Sequence, residues 1–256
     1  MSLALFSLEG RTALVTGSAR GLGYAIARGL GQAGARLILN GTNAGRTAAA
    51  AEALTAEGLS ATALAFDVAD DAAVLAAFER LDAEGVAVDI LVNNAGIQFR
   101  KPMLELDPAD WRRVVDTNLT SAFLIGREAA KRMIARGTGG KIVNIGSLMS
   151  EVARPTVAPY TAAKGGIKLL TRSMAAEWAE HGIQSNAIGP GYMATDMNEA
   201  LMNDPKFDSF VKGRTPTRRW GLPDELVGAA VFLASPASNY VNGQIIYVDG
   251  GMLAVL

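Results

Sequence analysis

The sequence contains no cysteine and a single histidine, His181. Without thiols there is no disulfide framework, no cysteine nucleophile and no thiolate metal site, and one imidazole cannot build a multi-histidine centre. No metal is therefore expected. No apolar run approaches the roughly 20 residues that span a bilayer, so no membrane partner is expected. Residues 1–8 lack a basic segment followed by an apolar stretch, which argues against a secretory leader and for a cytoplasmic protein. A net charge of −1 gives no general attraction toward nucleic acid. Apolar residues make up 50% of the 256, enough for one sizeable core.

What the chain does have is an alternation of strand and helix patterns. Short apolar segments at 11–16, 36–39, 61–66, 88–92, 141–145, 183–188 and 244–248 read as strands. Helical patterns fill the intervals, including 44–57, 70–84 and a long region from Asp107-Pro108 to about 136 that should break near Asn118. Such an alternation gives right-handed crossovers and a parallel sheet. The expected fold class is α/β, one domain over 1–256: a doubly wound, Rossmann-type sheet of seven strands with helices on both faces. Residues 192–220 are polar and weakly periodic and carry Pro205 and Pro216, so they read as short helices forming a flap. His181 reads as a helix-end residue without a function.

Two local patterns suggest chemistry. The first strand runs into Gly17-Ser18-Ala19-Arg20-Gly21-Leu22-Gly23 and then a helix. Glycines let the backbone approach a phosphate, and a helix N-terminus supplies free N–H groups. The second pattern is Tyr160-Thr161-Ala162-Ala163-Lys164. On a helix the two end residues share a face one turn apart. A phenol titrates near pH 10, and a neighbouring ammonium is expected to lower that value and make the phenol a usable acid or base. Gly17, Asp67, Asn94, Ser147 and Pro190 all fall at the carboxyl ends of strands, where open parallel sheets bind ligands.

Thr16-Gly17-x3-Gly21-Leu22-Gly23, Asn93-Asn94-Ala95-Gly96, Asn118, Ser147, Tyr160-x3-Lys164 and Pro190-Gly191-x3-Thr195 together resemble the short-chain dehydrogenase/reductase family over nearly the whole chain. Within it, Asn94-Ala95-Gly96-Ile97-Gln98, Ser150-Glu151, Arg214-Thr215-Pro216 and Arg219-Trp220-Gly221 resemble the gluconate 5-dehydrogenase subfamily. The resemblance implies hydride transfer between a nicotinamide and a carbonyl or alcohol carbon. Tyr160 would be the acid/base, helped by Lys164. Ser147 would bind the substrate oxygen, and Asn118 would hold a water. Gly17, Ser18, Gly21, Leu22 and Gly23 would line the pyrophosphate, and Asp67 and Val68 would meet the adenine. Asn94, Ala95 and Gly96 would lie near the adenosine ribose, and Pro190, Gly191 and Thr195 near the nicotinamide. A homotetramer is implied, with the helix of 119–136 and the Tyr160 helix pairing across a two-fold axis through small residues such as Ala129, Ala130, Ala162, Ala163 and Gly166.

No acid follows the second strand to hold a ribose 2′-hydroxyl, and Thr42 stands where NADP-using members of the subfamily carry Arg. With Arg20 and Thr42 facing a 2′-phosphate, NADP(H) is favoured and NAD(H) remains open. The small-molecule substrate is expected to be a sugar acid, 5-keto-D-gluconate or D-gluconate. Arg100 and Arg154 would take its carboxylate, and Gln98 and Glu151 its hydroxyls. Phe99 stands where a second basic residue is expected. A 3-oxoacyl-thioester reductase and a non-catalytic nucleotide-binding protein are the alternatives.

Overall fold

Seven strands, β1 (Thr12–Val15), β2 (Arg36–Gly41), β3 (Ala61–Ala65), β4 (Ile90–Asn93), β5 (Gly140–Ile145), β6 (Ile183–Pro190) and β7 (Ile245–Val248), form one sheet in a computed structural model that describes residues 4–255. The order is β3-β2-β1-β4-β5-β6-β7, and every neighbouring pair is parallel. The start of the stretch read for a leader, residues 1–3, lies outside the described residues. Between strands run α1 (Gly21–Gln32), α2 (Ala44–Ala56), α3 (Asp71–Ala83), α4 (Pro108–Val115), α5 (Ser121–Arg136), α6 (Ala158–Trp178), α7 (Glu199–Met202), α8 (Pro205–Arg214) and α9 (Val227–Ala234).

The strands alternate strictly, so one sheet feeds two cores. Val15, Leu37, Leu39 and Val92 face Ile26 and Leu30 of α1, Leu54 of α2 and Leu233 of α9. Leu14, Ile38 and Leu91, one residue away in each strand, face Val74, Phe78 and Leu81 of α3 and Ile125 and Met133 of α5. The chain therefore winds on both faces. It reverses direction at β1, whose neighbours are β2 on one side and β4 on the other. That reversal opens a crevice at the strand ends, and the site is built around it.

Helix starts follow the sequence. Asn43 caps α2 through Arg46 N, Asp70 caps α3 through Ala72 N and Ala73 N, Asp107 caps α4 through Ala109 N, and Asp204 caps α8. The break expected near Asn118 is a π-helical turn, Asp116–Thr120, in which Ser121 N donates to Asp116 O. Residues 192–220 hold a short turn, α7 and α8. Among the described residues no helix is long and apolar enough to cross a membrane.

The small residues expected to face a partner across α5 and α6 are mostly used inside the chain. Ala129, Ala130 and Ala163 are fully buried, and a Cβ on Gly166 would lie 2.6 Å from Leu119. They let α5 and α6 pack against their own sheet and each other, and only Ala162 is exposed.

Candidate active site

α1 differs from its neighbours at its N-terminus. Arg20 occupies the N-cap with an extended backbone and no side-chain cap bond. The first-turn N–H groups of α1 thus point into the crevice without an Asx or Ser partner of the kind α2, α3 and α4 have. Gly17 and Gly21 reach this geometry with φ of +61° and +60°. Gly23 is required for a different reason, because a Cβ there would lie 2.4 Å from Asn94 Nδ2 and 2.5 Å from Gly17 O. Asn94 fastens the turn: its Nδ2 donates to Thr16 O (2.9 Å) and Gly17 O (3.0 Å).

Around this turn lies a cleft of about 610 Å³. Gly17, Arg20, Gly21, Leu22, Gly23, Thr42, Asp67, Val68, Asn94, Ala95, Gly96, Gln98, Arg100, Ser147, Arg154, Tyr160, Lys164, Pro190, Gly191 and Thr195 all line it. Three residues singled out in the sequence do not. Ser18 is fully buried; its hydroxyl donates to Val15 O (2.7 Å) and accepts from Asn40 N (3.1 Å), so it locks the glycine turn to β2 and offers nothing to a ligand. Glu151 points away from the cleft, where its carboxylate accepts from Lys168 Nζ and from Tyr247 OH. Asn118 is buried behind the cleft wall, with Oδ1 accepting from Ile97 N (2.7 Å) and Nδ2 donating to Ile97 O (2.9 Å). Its side chain holds the loop after β4 through both of these bonds.

The Tyr160 pair also corrects the simple expectation. Burial pushes the Tyr160 phenol up, the hydroxyl of Ser147 pulls it back, and the nearby Tyr192 adds to the rise. Lys164 is itself buried, and burial brings it down to about 8. Its ammonium lies 5.6 Å from the Tyr160 ring centre and donates to Ile145 O at 2.6 Å. Desolvation thus sets the direction of the shift at both residues. Ser150 ties the same centre together, because its hydroxyl accepts from Ser147 N (3.2 Å) and donates to Lys164 O (2.8 Å).

Sequence reading missed several cleft residues. Asn40, where an acid could have stood, is buried, accepts from Gly17 N (3.3 Å) and donates to Leu64 O and Phe66 O. Arg46, on the first turn of α2, lines the cleft beside Thr42 and Asn43. Its signal was present, since Asn43 as N-cap puts Arg46 in the first turn. Arg113 lines the cleft but is held by Asp110 at 3.0 Å, whereas Tyr192 is packed edge-on against Phe207 and Trp220. Arg20 reaches Asp196 of the flap at 3.5 Å, an exposed and weak pair.

Arg100 and Arg154 stand apart from these. Among the described residues neither is paired with a carboxylate. Burial and then the charge of Arg154 hold the Arg100 guanidinium below its ordinary value. The backbone links their loops, with Lys101 N donating to Thr156 O at 2.9 Å. Among the described residues no cluster of His, Cys, Asp and Glu could hold a metal ion. The uncapped helix end and the glycines that no side chain could replace suit a dinucleotide pyrophosphate.

Comparison with known proteins adds identity to this geometry. A family model described as enoyl-(acyl carrier protein) reductase matches residues 17–253. A gluconate 5-dehydrogenase of Gluconobacter oxydans (strain 621H) is 49% identical over 98% of each chain. A 2-dehydro-3-deoxy-D-gluconate 5-dehydrogenase of Formosa agariphila is 47% identical over 100% of this chain and 97% of its own. The solved structure of a gluconate 5-dehydrogenase from Burkholderia cenocepacia J2315, in complex with NADP and tartrate, is 48% identical over all of both chains, with a TM-score of 0.97.

Proposed function

The chain belongs to the short-chain dehydrogenase/reductase family, and on that footing we propose that it is an NADP(H)-dependent oxidoreductase interconverting 5-keto-D-gluconate and D-gluconate. One observation carries the substrate class: two guanidiniums, Arg100 and Arg154, share a cleft with Tyr160 and have no acidic partner among the described residues. A carboxylate takes a guanidinium in two parallel hydrogen bonds and relieves the repulsion between the pair. A neutral acyl thioester would leave both charges unanswered, which disfavours the 3-oxoacyl alternative. The relative from Formosa agariphila acts, by its name, on another six-carbon sugar acid, and the arginine pair suits that carboxylate equally.

When bound, the nicotinamide supplies or accepts the hydride. In reduction Tyr160 gives its phenolic proton to the substrate oxygen, and Ser147 hydrogen-bonds that oxygen as charge develops. In oxidation the tyrosinate takes the hydroxyl proton. Lys164 offers its remaining donors to the nicotinamide ribose. Ser150 and Asn118 hold the shape of the centre. Arg20 and Arg46 flank the place where a 2′-phosphate would lie beside Thr42, which supports NADP(H) over NAD(H). We further read 1–256 as one catalytic domain with a substrate flap at 192–220, acting in the cytoplasm as a homotetramer.

The test is a panel of NADPH and NADH against 5-keto-D-gluconate, the 5-keto form of 2-dehydro-3-deoxy-D-gluconate and acetoacetyl thioester. Fastest turnover with NADPH and a sugar acid supports the reading. Preference for the thioester removes the sugar-acid assignment and leaves the oxidoreductase class.

A further inference from the structure

We propose that Phe207, on the flap helix α8, is a specificity-positioning residue that holds Arg154 and Tyr192 in the cleft, so that the flap takes part in reading the substrate carboxylate. The inference rests on the sugar-acid reading above. The Arg154 guanidinium lies over the Phe207 ring, 4.9 Å from its centre. Tyr192 meets the same ring edge-on at 5.5 Å and 78°. Trp220 closes the group, 5.7 Å from Tyr192 and 6.4 Å from Phe207, and its Nε1 donates to Asp208 of α8 at 2.8 Å. The flap is pinned at its base, where Ala194 N donates to Gly221 O (2.8 Å) and Gly221 N to Tyr192 O (2.9 Å). A shift of α8 therefore moves the ring that both cleft side chains rest on.

Stacking on a ring occupies the face of a guanidinium and leaves its N–H edges free. Pairing with an acid would have occupied those edges. Phe207 thus fixes the direction of Arg154 without consuming the donors a carboxylate needs. Tyr192 lines the same cleft as Arg100, Arg154 and Tyr160, so its phenol is available to a hydroxyl of a bound sugar acid.

The experiment measures kcat/KM with NADPH for 5-keto-D-gluconate and for the neutral ketose fructose. Enzymes compared are the parent, Phe207→Leu, Phe207→Tyr, Arg154→Gln and the Phe207→Leu/Arg154→Gln double variant, with NADPH Kd measured by fluorescence. Phe207→Leu keeps an apolar side chain but loses the π face. Its acid-to-neutral ratio should fall about tenfold, the worth of one partly desolvated cation–π contact. The loss should appear in KM for the acid, with kcat within about twofold and NADPH Kd unchanged. Phe207→Tyr should keep the ratio, and the double variant should lose no more than Arg154→Gln alone. If the leucine variant unfolds, Phe207→Met is read in the same way. An unchanged ratio in Phe207→Leu, equal loss in Phe207→Tyr, or additive losses would overturn the proposal while leaving the substrate reading intact. A parent without preference for the acid overturns both.

Discussion

At the scale of single residues, Tyr160 has opposite demands in the two directions of reaction. Burial raises its phenol, which keeps the proton in place for reduction and makes the tyrosinate needed for oxidation harder to form. The sign of the pH dependence follows. Reduction should hold level to at least the phenol's ordinary pH 10 and fall only beyond it, whereas oxidation should rise with the tyrosinate fraction from neutral pH upward. Initial rates in both directions across pH 6–10 would show it, and an oxidation rate that falls from neutral pH upward would contradict it. Tyr160→Phe keeps the ring and removes the proton. Its turnover should drop by about 10²–10⁴, the usual worth of general acid–base catalysis, with NADPH Kd unchanged. Retention of more than a tenth of parent turnover would remove Tyr160 from that role.

Elements show why some features could be read in the sequence and others could not. Strand and helix patterns are local, and they placed all seven strands in a parallel sheet, with the break in the 107–136 region falling on the π turn at Asp116–Thr120. The strand-end rule gathered Gly17, Asp67, Asn94, Ser147 and Pro190 at one edge, because a parallel sheet puts all its carboxyl ends on the same side. Side-chain direction is not local. Ser18 turns into the core and Glu151 turns away to Lys168, while Tyr192 turns inward because Phe207 and Trp220 flank it from distant segments. The balance at Tyr160 was likewise hidden, since burial is a property of the assembled chain. The turn from β2 into α2 makes a prediction at this scale. Asn40 is committed to main-chain groups, so cations on α1 and α2 are left to meet a 2′-phosphate. Arg20→Ala and Arg46→Ala should each weaken NADPH binding about ten- to a hundredfold, as losing a charged hydrogen bond does, and leave NADH nearly unchanged. Equal weakening of both cofactors in titrations would show that neither residue reads the phosphate.

For the whole molecule, assembly and substrate choice are the two remaining questions. With Ala129, Ala130 and Ala163 buried in the chain's own core, a partner would have to meet what α4, α5 and α6 leave outside: Trp111, Phe123 and Leu169 are 38%, 43% and 60% exposed. A tetramer built on that face should be weakened by Phe123→Glu, seen by light scattering as a smaller species at micromolar concentration. A parent that is already monomeric there would sink the assembly proposal. The substrate question is whether this cleft is built around a carboxylate beside a transferable proton. It is tested most directly by kcat/KM for 5-keto-D-gluconate relative to fructose, in the parent and in Arg100→Ala. The parent should strongly prefer the acid, and the variant should lose about ten- to a hundredfold of that preference, the range of a charge-assisted hydrogen bond. Equal use of both ketones by the parent, or an undiminished preference in Arg100→Ala, would contradict it.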